Sequence, residues 1–217
     1  AAVTERTRMV MLCSPNNPTG TVLHADEVVD FLARIPSDVH VVLDEAYTHF
    51  NQDADAVRGL DLLAEHPNVI CLHTFSKAYG LGGLRIGWGY AAREVIDVLN
   101  RIRQPFNLSN AQMEAARAAV LDRDFTDRCI ALNARMRDRM RQSLIQMGIG
   151  CDESFANFVL ARFDSPQTAT AADAALRAVA VAQPEPQLAS LHGAQAHAVV
   201  VAALVVRGLR RDGEQGD

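Results

Sequence analysis

Lys77 lies in a hydroxyl-rich turn, Thr74-Phe75-Ser76-Lys77, directly after the apolar run Val69 to Leu72. Arg85 follows eight residues later, between a Gly-Gly pair and a second apolar run that glycines interrupt. A lysine at a strand exit can form a Schiff base with a carbonyl if its amine is desolvated or sits beside other cations. Thr74, Ser76 and Arg85 are the residue types that hold a phosphate, two hydroxyls and a guanidinium fork. A ligand with both a carbonyl and a phosphate would use the whole stretch. Pyridoxal phosphate is such a ligand.

Each of these residues has a plainer use. A Ser-Lys pair is usually a solvated loop, and glycines at strand ends are usually turns. What raises the chemical reading is the company upstream, where apolar runs end on Asn17, in Ser14-Pro15-Asn16-Asn17-Pro18-Thr19-Gly20, and on Asp44-Glu45-Ala46-Tyr47. Asp44 could instead cap a helix, Tyr47 could be core, and Asn17 could simply form a turn. Taken together they make a serviceable set. Asp44 would pair with a pyridinium nitrogen and keep the ring an electron sink, the main electronic contribution a protein makes to this cofactor. Tyr47 and Asn17 would hydrogen-bond the ring's phenolic oxygen, and Arg85 with Thr74 and Ser76 would bind the phosphate. Lys77 would be the catalytic base.

The elements that must position this set follow from hydrophobic periodicity. Met9 to Cys13, Val39 to Leu43 and Val69 to Leu72 read as buried strands, and Leu84 to Tyr90 as a fourth, antiparallel or at an edge. Ala25 to Ile35 repeats at helical period, Asn51 to Arg58 is a polar loop, and Leu60 to Leu63 starts a short helix. Ala92 to Arg101 and Ala111 to Leu121 read as further helices. Strands alternating with helices predict an α/β domain with a mainly parallel sheet. Ligands then lie outside the carboxyl ends of the strands, where Asn17, Asp44, Tyr47 and Lys77 should meet in one crevice. Asp124 to Met147 predicts a long amphipathic helix, with Phe125, Leu132, Met136, Met140 and Leu144 on one side and arginines opposite as a solvated surface. Phe155 to Phe163 predicts a strand in a second, small α+β domain. The expected division is 1–122 for the sheet domain and 123–217 for the interdomain helix and small domain, with 176–217 atypical.

Composition narrows the class. The 217 residues are 49% hydrophobic and 22% charged, with a formal net charge of −5. That balance fits an ordinary soluble globular protein. No basic patch with interleaved aromatics speaks for nucleic acid, and no apolar run approaches the length of a membrane helix. Cys13, Cys71, Cys129 and Cys151 are far apart and form no CxxC pair, so they read as buried thiols in a reducing compartment, with the cytoplasm as the default. The seven histidines show no ligand spacing, so no metal site is expected. GLGGLRIG follows the lysine turn and does not open a helix after a strand, which argues against a nucleotide loop.

SPNNPTG, VVLDEAY and TFSKAYGLGGLRIGWGYA resemble the motifs of the class I/II aminotransferases of pyridoxal-phosphate fold type I. RQPFN (Arg103 to Asn107) and ANFVL (Ala156 to Leu160) resemble the histidinol-phosphate branch. The resemblance runs from Arg8 to about Arg162. It implies the cofactor roles given above for Asn17, Asp44, Tyr47, Lys77 and Arg85, with Ser76 or Thr74 at the phosphate. It also implies small amino-acid and oxo-acid substrates, a homodimer with active sites at the subunit interface, and ping-pong transfer of an amino group between glutamate and imidazole-acetol phosphate.

Two departures from the family pattern stand beside this. The stretch that precedes SPNNPTG in the family, with an aromatic that stacks on the ring, has no counterpart here. After about Leu176 the family pattern ceases, as a frameshifted end would make it, or as a divergent small domain would in which His197 to Val206 forms a strand or helix. Two further functional readings stay open. One is another pyridoxal-phosphate enzyme, an aromatic aminotransferase or a threonine-phosphate decarboxylase relative. The other is a truncated, catalytically silent product.

Overall fold

A computed structural model describes residues 3–182 and 203–208. Strands β1 (Met9–Cys13), β2 (His40–Asp44), β3 (Val69–Thr74) and β4 (Gly87–Ala91) form one sheet in the order β1-β2-β3-β4. The first three strands are parallel, and β4 runs antiparallel to β3. Register brings Leu12, Leu43, Cys71 and Tyr90 into one row and Val10, Val41 and Val69 into the next. Side chains alternate across a strand, so these rows share a face. On it α1 (Ala25–Arg34) and α2 (Gly59–Leu62) lay Val28, Leu32 and Leu62, closing the main core. α1 stops one residue short of the expected Ile35, which is extended with ψ 150 because Pro36 follows.

The stretch expected to be strand from Leu84 starts only at Gly87. Gly82–Leu84 forms a 3₁₀ turn, and Arg85 follows in the left-handed region at φ 53. The reason lies in the lysine turn. Phe75 N–H donates to Ile86 O at 3.1 Å and Leu81 N–H to Phe75 O at 2.9 Å, so 81–86 folds back over 75–80 before pairing begins. The expected polar loop 51–58 is polar only in part, because Ala56 and Val57 are buried.

After α3 (Arg93–Ile102) and α4 (Asn110–Leu121), α5 (Arg123–Gln146) leads to a second sheet of β5 (Gly150–Cys151), β6 (Phe158–Phe163) and β7 (Ala203–Gly208). α6 (Pro166–Ala182), for which the sequence reading gave no element, connects β6 toward β7. Of the stretch 197–206, residues 203–206 lie in β7, parallel to β6, and 197–202 fall outside the described residues. The expected apolar face of α5 needs correction. Thr126, Asn133, Arg137 and Leu144 are its buried residues, and Phe125, Leu132, Met136 and Met140 are only half-buried. Arg137 is the cause, because it belongs to the core and not to the solvated surface expected of the arginines. Its Nη1 donates to Phe50 O at 3.4 Å and to Ala156 O at 3.3 Å, tying the loop after β2 to the segment before β6.

The two sheets also meet at Gly20. It stands at φ +75, a Cβ there would run into the Ser154 side chain, and its carbonyl accepts Phe155 N–H at 2.8 Å. Gly20→Ala therefore combines left-handed strain of about 1–2 kcal/mol with a steric clash. Denaturant unfolding should show at least that loss. Unchanged stability would contradict the packing described.

Candidate active site

Asp44 closes β2, and its Oδ1 accepts the Ala46 N–H at 3.0 Å, turning the chain so that Tyr47 follows at the strand's carboxyl end. The preceding turn is braced internally. Gly20 N–H donates to Asn16 O at 2.7 Å and Asn16 Nδ2 to Thr19 Oγ1 at 2.7 Å. Asn16 thus makes the turn, and Asn17 is left to reach out: its Nδ2 donates to the Tyr47 hydroxyl at 3.1 Å. Lys77 Nζ stands 5.0 Å from the centre of the same Tyr47 ring. That ring also packs edge-on with Phe158, with centroids 5.2 Å apart.

The phosphate-type residues form a second group. Thr74 Oγ1 accepts Ser76 N–H at 3.0 Å, and Arg85 Nη1 donates to Ser76 Oγ at 3.3 Å and to Gly82 O at 3.0 Å. Arg85 is exposed and reaches Ser76 from a left-handed backbone, a conformation that costs a non-glycine residue energy and recurs at functional sites. The structure thus gathers Asn17, Tyr47 and Lys77 around one ring and Thr74, Ser76 and Arg85 around one turn. Asp44 sits at the end of β2, the strand that Tyr47 follows. Lys77 is also the only lysine among the 217 residues. A cavity of about 590 Å³ bounded by His24, Asp26, Asp55, Arg58 and Asp61 shares no residue with this set.

Behind the site lies a polar cluster that the sequence reading did not single out. Glu45, 3% exposed, pairs with His73 Nε2 at 3.0 Å and accepts the Tyr90 hydroxyl at 3.2 Å and Gly59 N–H at 3.0 Å. The only sequence signal was alternation, since a residue next to Asp44 in a strand must face the other way. Burial pushes the Cys71 thiol in this cluster up to about 12, with the Glu45 carboxylate adding to it, and raises Tyr90 as well. His49, in contact with Tyr79 and facing His73, is lowered by burial and by its neighbouring histidine.

The family model described as aminotransferase class I and II matches residues 1–193. The chain belongs to the class I and II aminotransferases. A histidinol-phosphate aminotransferase of Cereibacter sphaeroides strain KD131 is 50% identical to this aminotransferase chain over 173 residues, 80% of this chain and 47% of the relative. An aromatic amino acid aminotransferase of Cutibacterium acnes is 50% identical over 158 residues, 73% of this chain and 45% of the relative. Among solved structures, the histidinol-phosphate aminotransferase of Sinorhizobium meliloti in complex with pyridoxal-5'-phosphate aligns with a TM-score of 0.66 at 36% identity, covering 70% of this chain and 41% of that one. The architecture is thus part of the fold type I α/β fold, and the chain spans about half the length of the curated relatives it matches. Among the described residues, no helix is long and apolar enough to cross a membrane.

The Cys71 shift makes a prediction with a definite sign. The folded thiol stays protonated up to about 12, whereas an unfolded one ionises near 9.0. Folding stability contributed by this group is therefore complete below pH 9 and falls as pH rises toward 12, with a slope approaching about 1.4 kcal/mol per pH unit. Urea unfolding of the chain at about pH 8 and about pH 10.5 should show that loss, and Cys71→Ala should show a shallower one. Equal slopes would contradict it.

Proposed function

We propose that this chain supplies the lysine-bearing site for pyridoxal-phosphate-dependent transamination, in which histidinol phosphate and 2-oxoglutarate give imidazole-acetol phosphate and glutamate. The observation that carries the reading is the convergence of the chain's sole lysine, Lys77, on a Tyr47 whose hydroxyl is already held by Asn17. The donor set fits the cofactor part by part. Asp44 matches a ring nitrogen, Asn17 and Tyr47 match a phenolic oxygen, and Thr74, Ser76 and Arg85 match a phosphate. Bound there, pyridoxal phosphate supplies an aldehyde that condenses with amines and a ring that takes up the electron pair released at the substrate Cα.

The residues' own work is positional and acid–base. Asp44 holds the proton on the ring nitrogen. Asn17 and Tyr47 orient the phenolic oxygen, and their hydrogen bond fixes the Tyr47 hydroxyl. Arg85 and Ser76, bonded to each other, present a charged and a neutral donor to the phosphate, a combination stronger than neutral donors alone. Among the described residues no carboxylate forms an ion pair with Lys77, and its amine would take the proton from the substrate Cα and deliver it to the cofactor's aldehyde carbon, two bonds away.

The equal identity to an aromatic amino acid aminotransferase favours a second reading with an aromatic amino acid as donor. A homodimer fits the exposed apolar side chains of α3 to α4, where Ile102 is 72%, Phe106 98% and Leu121 68% exposed. The test is a titration of the purified chain with pyridoxal phosphate, followed in the visible range beside Lys77→Ala. Wild type should develop a band that changes on adding histidinol phosphate, while the variant shows neither and loses about 10²–10⁴-fold or more in turnover. A response to phenylalanine in place of histidinol phosphate would select the second reading. Identical spectra for wild type and variant would overturn both.

A further inference from the structure

Glu45 presents a puzzle of cost. A carboxylate at 3% exposure carries a desolvation penalty of several kcal/mol, which only well-formed partners offset, and an apolar side chain would fill the same space without it. Its partners come from three different elements. Gly59 N–H at the start of α2 reaches Oε1 at 3.0 Å, while the Tyr90 hydroxyl on β4 at 3.2 Å and His73 Nε2 on β3 at 3.0 Å share Oε2. The His73 ring is itself fixed by stacking on Trp88, centroids 4.1 Å apart and planes 5° from parallel. A Cβ on Gly59 would meet both Glu45 and Cys71, so α2 can approach this closely only because Gly59 has none.

The backbone completes the clamp. Glu45 N–H donates to Leu72 O at 2.9 Å, extending the β2–β3 ladder one residue past the Asp44–Leu72 pair. Asp44 and Glu45 are consecutive, so their side chains leave opposite faces of the sheet. The Glu45 cluster therefore lies behind the sheet from Asp44 and has no access to a ligand in the crevice. What it controls is the direction in which β2 ends, and hence where Asp44 points. A hydrophobic residue would leave that end free to slide by packing. A carboxylate with three directional partners does not.

We propose that Glu45 is a positioning residue, whose buried carboxylate, held by His73, Tyr90 and Gly59, sets the place of the Asp44 carboxylate for the cofactor ring. The proposal rests on the assignment of this crevice to pyridoxal phosphate. Because Glu45 touches no ligand, its effect on the site must pass through Asp44, and that makes it measurable as a coupling.

The experiment is a double-variant cycle read by equilibrium binding, not turnover. The dissociation constant for pyridoxal phosphate is measured by absorbance titration for wild type, Glu45→Gln, Asp44→Asn and the double variant. Far-ultraviolet circular dichroism of each unloaded chain checks that it folds. Glu45→Gln keeps the shape and the Gly59 contact but offers a donor where two donors converge, and it should weaken binding roughly tenfold, the size seen when an outer partner of a ligand-holding group is removed. In the Asp44→Asn background the same change should have no further effect. An equal factor in both backgrounds, or no loss in the first, would overturn the proposal while leaving the cofactor assignment intact. Wild type that binds no pyridoxal phosphate would overturn the assignment, and the proposal with it. If Glu45→Gln does not fold, His73→Gln, which removes one partner only, enters the same cycle and is judged by the same outcomes.

Discussion

The in-register parallel pairing of β1, β2 and β3 is the constraint on which the rest depends. Cys13 lies opposite Asp44, and Asp44 opposite Leu72. With the strands parallel, all three release their chains on the same side of the sheet. The turns holding Asn17, Tyr47 and Lys77 are therefore forced into one neighbourhood although up to 60 residues separate them along the chain. The pairing is kept by a face of Leu12, Val41, Leu43, Val69 and Cys71, covered by α1 and α2. A one-residue slip would send these side chains to the other face and take the site apart.

A second constraint closes the crevice from the far side. Ala156 and Phe158 pack with Tyr47, Phe50 and Ala78 in one buried cluster, so the second sheet helps to fix the phenol that Asn17 bonds and Lys77 overlooks. Arg137 joins the same two regions through backbone carbonyls, using charge-assisted hydrogen bonds in a place where an apolar residue would give only contact. Energy and geometry are spent at one junction. Its polar members, Arg137 and Ser154, are buried while donating to backbone carbonyls of Phe50, Ala156 and Phe158.

Much of this was legible in the sequence. The strands and the long α5 follow from hydrophobic period, the parallel sheet from the alternation of strands with helices, and an antiparallel or edge place for β4 from its glycines, while most candidate residues follow from their places at strand ends. The misses share a cause. Arg85 takes a left-handed backbone because the lysine turn folds back on it, a long-range demand that no local propensity encodes. Arg137 and Glu45 are charged residues in the core. Sequence reading places charge on the surface by default, and only a partner distant in the chain, Phe50 or Tyr90, reverses that. α6 was missed although its alanine-rich run favours helix.

The central claim is that this chain's one lysine is the group that captures the cofactor's carbonyl. It is tested most directly by treating the chain with pyridoxal phosphate, reducing with borohydride, and mapping the adduct by peptide mass spectrometry. Since Lys77 has no competitor among the side chains, the account predicts a single modified peptide spanning Thr74 to Arg85. An adduct confined to the amino terminus, or none, would contradict it.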